Sequence, residues 1–255
     1  MKNRIKLAFS SVIVLLILNS QPTGAWINGG LTAQKPAQDM APPQVIFHFS
    51  TLATVSPTKV LAGPPAADSK KLKKDFDTLL KWQANRTSKQ IEQAQYEDKS
   101  FTAYLFANVL GPQFTAEQLP MTDEFLKKVL HDAGDIAEAA KGIWKRPRPY
   151  HTDSRIEPCV TRSKSFSYPS GSATLGRMWA LVLADIFPKQ RKALLKRGQE
   201  IGLNRVIGGA HFPSDVEAGA KLADAMYRQL KKDPEYKKGL MAVKTEVSQK
   251  SPLSR

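Results

Sequence analysis

A single cysteine, Cys159, stands among 255 residues. No disulfide can therefore form within one chain, and packing alone must hold the fold. No alternation of apolar and polar residues runs long enough to predict a strand, and no segment repeats. Acidic residues are scarce: 23 Asp and Glu face 38 Lys and Arg, a net charge of +15. Long apolar runs are missing except at residues 7–18, and that one is too short to span a bilayer comfortably. The lysine clusters (Lys70, Lys71, Lys73 and Lys74; Lys231 and Lys232; Lys237 and Lys238) lack interleaved aromatics. That argues against nucleic acid as a partner.

Around the one apolar run the sequence has a clear grammar. Lys2, Arg4 and Lys6 precede it, and Thr23-Gly24-Ala25 offers small residues for cleavage after it. Residues 1–25 read as a secretory signal peptide, with a retained anchor as the alternative. Its loss removes three basic and no acidic residues, taking +15 to +12. The expected product is periplasmic or secreted, with no stable membrane insertion after cleavage. Its positive charge suits an anionic substrate, or is a solvated lysine coat.

Residues 26–67 are rich in Pro, Ala and Thr and lack periodicity; they read as a leader, with residues 45–49 packing on the body. From Asp68 the text turns helical: Leu72, Phe76, Leu79 and Leu80 recur at three- and four-residue steps. Further helices are predicted at 87–97, 100–109, 122–142, 170–186, 189–203 and 213–231. Thr122 is the expected cap of one, and Pro213 suits the first position of another. Loops are predicted at 111–112, 143–168 and 187–188. The reading is one all-α domain over residues 68–235, followed by a polar tail at 236–255.

Three blocks in the second half carry chemistry. His211 precedes a helix start, with Asp215 in its first turn, where a carboxylate can orient an imidazole and raise its basicity. Arg205, six residues earlier, can grip a planar anion through two donors. Ser170-Gly171 opens an apolar helix whose free N–H groups and dipole suit phosphate; an ordinary serine cap is the plainer reading. Lys141 closes another helix, and Pro147 and Pro149 hold Arg148 extended. Lys145 and Arg146, between them, read as surface charge. Taken singly, no block decides anything.

In this order and spacing, the blocks resemble the type 2 phosphatidic acid phosphatase superfamily, which includes class A bacterial non-specific acid phosphatases and vanadium haloperoxidases. The family pattern is K-x6-R-P, then P-S-G-H, then S-R-x5-H-x3-D. Here Lys141, Arg148 and Pro149, then Pro169, Ser170 and Gly171, then Arg205, His211 and Asp215 fall at matching intervals. The resemblance spans residues 60–232 and is nearest to the class A phosphatases. It implies a helical bundle of the acid phosphatase and haloperoxidase type. His211 would attack phosphorus to form a phosphohistidine, with Asp215 orienting it. Lys141, Arg148, Arg205 and the N–H groups of Ser170 and Gly171 would hold the phosphoryl oxygens. No metal or other cofactor is implied, and the partners would be small phosphate esters or pyrophosphates. Homo-oligomerisation and the state of Cys159 stay open.

The chain departs from the pattern twice. Asn204 replaces the serine before Arg205, a mild change. Ser172 replaces the histidine that in the family protonates the leaving alcohol, and a serine hydroxyl is far too weak an acid for that. General acid catalysis is typically worth about 10²–10⁴ in rate. Three accounts follow: a stand-in donor such as His151, Asp153 or a water on Ser172; a leaving group that needs no proton; or a phosphate-binding pseudoenzyme. A vanadate-dependent peroxidase ranks last, because those enzymes also depend on the histidine.

Overall fold

The computed structural model describes residues 48–250; the expected signal peptide (residues 1–25), residues 26–47 of the expected leader and residues 251–255 lie outside them. Among the described residues there is no strand. In chain order the helices are α1 (Pro57–Val60), α2 (Lys70–Asn85), α3 (Ser88–Lys99), α4 (Ala107–Leu110), α5 (Pro120–Trp144), α6 (Pro149–Thr152), α7 (Gly171–Ile186), α8 (Arg191–Ile207), α9 (Pro213–Leu230) and α10 (Pro234–Gln249). The all-α class read from the sequence holds.

α7 is the pillar. Its run from Met178 to Ala184 is apolar on every side and fully buried, and such a helix must be surrounded. It packs chiefly on α8 and α9, and then on α5. Glycine makes the closest of these approaches: a Cβ on Gly198 of α8 would lie 2.7 Å from the Ala180 Cβ and 2.9 Å from the Gly176 carbonyl oxygen. At the active end, a Cβ on Gly219 of α9 would stand 2.6 Å from the Ser170 carbonyl oxygen. These contacts fix the start of α7 against α9. On a neighbouring flank the α2 stripe, with Leu79 buried and Leu72 and Phe76 half-buried, packs on Tyr150, Ile156, Val206 and Phe212.

Four expectations need correction. Residues 236–249 were expected in a polar tail, yet they form most of α10. Tyr236, Val243 and Val247 are buried and Leu240 packs beside them, a 4-3-4 spacing that intervening lysines hide. α5 begins at Pro120, two residues before the expected Thr122 cap. Its first N–H groups are satisfied from α10, where the Glu246 carboxylate accepts from Met121 N (2.9 Å), Thr122 N (2.8 Å) and Thr122 Oγ1 (2.7 Å). More of the expected leader belongs to the core than residues 45–49: Phe49 is buried as expected, but Leu52 and Leu61 are buried with it. Finally, 100–109 is no continuous helix but a 3₁₀ turn, Ala103–Phe106, leading into α4. Buried Arg197 takes the Leu105 carbonyl from outside (3.0 Å), so it is not left to a helical ladder.

Candidate active site

α5 stops where Lys145 adopts the left-handed conformation (φ 46°). One turn before, Lys141 is 7% exposed, and its Nζ donates to Glu138 Oε2 (3.0 Å) and Ser165 Oγ (2.7 Å). The two flanking prolines deliver Arg148 extended (φ −69°, ψ 156°), as expected. Its guanidinium donates from Nε to the Ser165 carbonyl (2.9 Å) and from Nη1 to the Ala210 carbonyl (3.0 Å). The same Nη1 lies 2.8 Å from His211 Nε2. Ser165 thus ties the lysine and the arginine to one loop residue.

His211 follows a tight turn off α8, in which Ala210 N and His211 N both donate to the Arg205 carbonyl (3.0 and 3.3 Å). Gly209 makes the turn at φ +72°, and a Cβ there would meet the Pro158 backbone at 3.1 Å. The imidazole is buried. Its Nδ1 lies 2.9 Å from the Ser167 carbonyl, which can only accept. That assigns the proton to Nδ1 and leaves the Nε2 lone pair facing Arg148.

Asp215 sits differently from expectation. It is 3.5 Å from Nδ1, farther than its other partners. These are Arg146 Nη1 (2.5 Å), Ser167 Oγ (2.6 Å) and Phe212 N (2.9 Å). A carboxylate three residues into a helix turns back to the cap N–H, which limits its reach toward the ring. Ser167 therefore aligns the imidazole directly, and Asp215 anchors Ser167. Arg146, read as surface charge, is buried. It also donates to Ser214 Oγ (2.8 Å), reaches Asp75 Oδ2 (3.4 Å) and stacks 3.8 Å above the Phe212 ring. Only Lys145 of that pair is exposed.

At the start of α7, Ser170 is a helix cap whose Oγ accepts from Ala173 N (3.3 Å). Its own N–H donates to the Asp215 backbone carbonyl (3.0 Å), so it is not the anion donor that was expected. The N–H groups of Gly171 and Ser172 have no partner among the described residues, as the first two of a helix should. Gly171 lies beside the lysine, for a Cβ on it would stand 3.6 Å from Lys141 Nζ. Arg205 Nη1 pairs with Asp98 Oδ1 of α3 (2.7 Å). Its Nε is buried without any partner among the described residues. An orphaned guanidinium donor in a cationic cleft calls for an anionic oxygen.

The electrostatics agree. Burial, then the charges of Arg148, Arg205 and Lys141, hold the His211 imidazole well below its ordinary value of 6.5. The 3.5 Å approach to Asp215 is thus a neutral ring beside a carboxylate rather than an ion pair. Burial also lowers Lys141 and Arg148, with Glu138 opposing the shift on the lysine. Burial pushes Asp215 up, against the opposing pull of Arg146 and Ser167. Three cations thus converge on one neutral, correctly protonated imidazole.

The PAP2 superfamily model matches residues 129–232. A non-specific acid phosphatase of Salmonella typhimurium is 32% identical over 83% of this chain and 92% of its own length. The chain belongs to this superfamily. Within it, a non-specific acid phosphatase of Providencia stuartii is 30% identical over 88% of this chain and 94% of its own length. A lipid A 1-phosphatase of Rhizobium johnstonii matches only 34% of this chain, at 37% identity. The superfamily segment begins inside α5 and ends just past α9, so it takes in all three blocks.

Several site residues were invisible in the sequence. Ser165 and Ser167 each act through both a hydroxyl and a backbone carbonyl, and no residue pattern in the loop reports either. Asp98 and Glu138 look like ordinary helix-surface acids. Asp75 did leave a signal: it lies three residues after Leu72 and four before Leu79, a carboxylate on an apolar stripe. It is buried, accepts from Ser214 N (3.2 Å), and makes a very short bond with Ser214 Oγ.

Proposed function

We propose that this chain is an exported acid phosphatase that hydrolyses phosphomonoesters through a phosphohistidine on His211. One observation carries the reading: Nε2, its lone pair fixed by the Ser167 carbonyl on Nδ1, lies within a cluster of Lys141, Arg148 and Arg205. The relatives named acid phosphatases, matched over most of both chains, support the reaction class.

Substrate phosphate takes the cleft, and its oxygens bond Arg205 Nε, Lys141 Nζ and the N–H groups of Gly171 and Ser172. Arg148 turns from Nε2 to a phosphoryl oxygen, freeing the lone pair. Nε2 attacks phosphorus and the ester P–O bond breaks, its electron pair leaving with the alcohol oxygen. The positive ring is stabilised through Nδ1–H on the Ser167 carbonyl. Water then attacks phosphorus, the P–N bond breaks, and phosphate leaves with His211 neutral again. Guanidinium and ammonium groups already aimed at the developing charge need no reorganisation.

Ser172 leaves the departing alcohol without a strong acid. Asp153 is gripped by Arg155 (Nη2–Oδ2 2.6 Å), which holds its carboxyl low and ionised. His151 is exposed and meets the Tyr150 ring edge to face, centroids 4.6 Å apart. The substrates favoured are therefore pyrophosphates and esters of acidic alcohols. The test is a panel of phosphate esters graded by leaving-group pKa, with acid-labile phosphate trapped on wild type and on His211→Ala. Turnover of para-nitrophenyl phosphate with trapped phosphate only on wild type supports the reading. Binding of phosphate without turnover of any ester would make the protein a pseudoenzyme. Export rests on residues 1–25, and N-terminal sequencing of the mature protein checks for a start at Trp26.

A further inference from the structure

Far along α5 from Lys141, two of the four histidines in the chain stand together. His48 and His131 meet edge to face with ring centroids 5.1 Å apart, and both are exposed. Beneath them lies Asp132, whose carboxylate is fully buried. Its Oδ1 accepts from His48 N (3.1 Å) and its Oδ2 from Phe49 N (2.9 Å), so its orientation is fixed by the backbone. His131 Nδ1 lies 3.3 Å from Asp132 Oδ1 and 3.6 Å from Asp135 Oδ2, one turn further on. One ligand atom from each of His48, His131 and Asp132 falls within 4.8 Å of the others.

From these atoms we infer a divalent transition-metal site, separate from the phosphatase centre, held by His48, His131 and Asp132. The spacings suit such an ion. Metal–ligand bonds of about 2.0–2.2 Å in a tetrahedron set ligand atoms about 3.4 Å apart. His131 Nδ1 and Asp132 Oδ1 already stand near that separation, at 3.3 Å. Two imidazoles with a carboxylate favour Zn²⁺, Cu²⁺ or Ni²⁺ over Mg²⁺ or Ca²⁺, which want mostly oxygen. The site joins two distant stretches of chain, since His48 precedes the 3₁₀ turn Ser50–Thr54 and His131 lies in mid-α5. A bound ion would clamp the segment that enters the core at Phe49 and Leu52. It acts on the fold rather than on phosphate.

The probe is Zn²⁺ itself, with Mg²⁺ as control, by equilibrium dialysis and thermal unfolding of the mature protein. Wild type should take up one Zn²⁺ that His48→Ala and His131→Ala each weaken at least about tenfold, and His211→Ala and His151→Ala do not. Saturating Zn²⁺ should raise the unfolding midpoint of wild type and of His211→Ala, because an ion that binds the folded state stabilises it. The rise should vanish in the His48→Ala/His131→Ala double variant. Both histidines are exposed, so these variants should fold. Undetectable Zn²⁺ binding would overturn the site, as would binding lost in His211→Ala but kept in the double variant. So would Mg²⁺ stabilising as well as Zn²⁺.

Discussion

Two parts of one cleft differ sharply in how they are built. Around the phosphoryl position, Lys141, Arg148 and Arg205 are buried, and each is held by named partners: Glu138 and Ser165, the Ser165 and Ala210 carbonyls, and Asp98. A lower layer of Asp75, Arg146, Ser167, Ser214 and Asp215 supports His211 from behind. At the start of α7, where the resemblance places the proton donor, Ser172 is only half-buried and brings no ionisable group. Burying charges is expensive unless they are paired. A fold that keeps so many paired at the first position is built, on the proposed reading, for anion binding and nucleophilic attack. On the same reading, what it lacks is help for the leaving group, which matters for some substrates and hardly at all for others.

The sharpest way to break this comparison is to remove the nucleophile. His211→Ala should lower turnover of para-nitrophenyl phosphate by about 10³-fold or more, since groups acting as one unit fail together. Phosphate binding should survive, because the three cations remain. Equal losses of binding and turnover would mean that His211 serves the cradle rather than the chemistry. Next comes the cradle itself. Arg205→Ala removes the guanidinium whose Nε has no partner among the described residues, and should cost about 10²–10³ in kcat, the usual toll for one transition-state donor. Unlike Ser172→His, it should act on every ester alike.

Ser172→His tests the sparse side. Alkyl phosphates should gain about 10²-fold in kcat/KM, the low end of general acid catalysis. Para-nitrophenyl phosphate should barely change, its leaving group being a weak base. The slope of log kcat/KM against leaving-group pKa should therefore flatten. An already shallow slope in the native protein, unaltered by the substitution, would mean another donor is at work; His151 would be the first to replace.

The same contrast governs what was legible in the sequence. The three blocks were readable because helix starts, proline-flanked turns and helix ends are local devices with fixed residue types. The main helices were readable from their apolar periods. What stayed hidden depends on distant pairing: Glu246 capping α5 from 124 residues away, Asp98 holding Arg205 across 107, and Asp75 meeting Ser214 across 139. α10 was masked by the lysines along its outer face. Arg146 was misread because its neighbour Lys145 is exposed, and only the turn at φ 46° sends the two in different directions.

The smallest effect concerns pH, and it weighs His211 against the rest of the fold. The folded protein holds this imidazole neutral well below 6.5, whereas the unfolded chain protonates it near that value. Below pH 6.5 the unfolded state thus binds the extra proton, and stability falls as pH falls, until the folded pKa is reached and the slope flattens. One proton corresponds to at most about 1.4 kcal/mol per pH unit. Asp75, Asp98 and Asp215 titrate in the same protein, so the absolute curve cannot isolate the histidine. The difference between wild type and His211→Gln does. Urea unfolding of both from pH 7 downward should show the variant losing less stability than wild type over the first unit or two below 6.5. The same neutrality keeps Nε2 nucleophilic in acid, so the acid limb of kcat/KM should also lie well below pH 6.5. Parallel unfolding curves, or an acid limb near 6.5, would mean that burial and the cations around His211 do not hold it neutral.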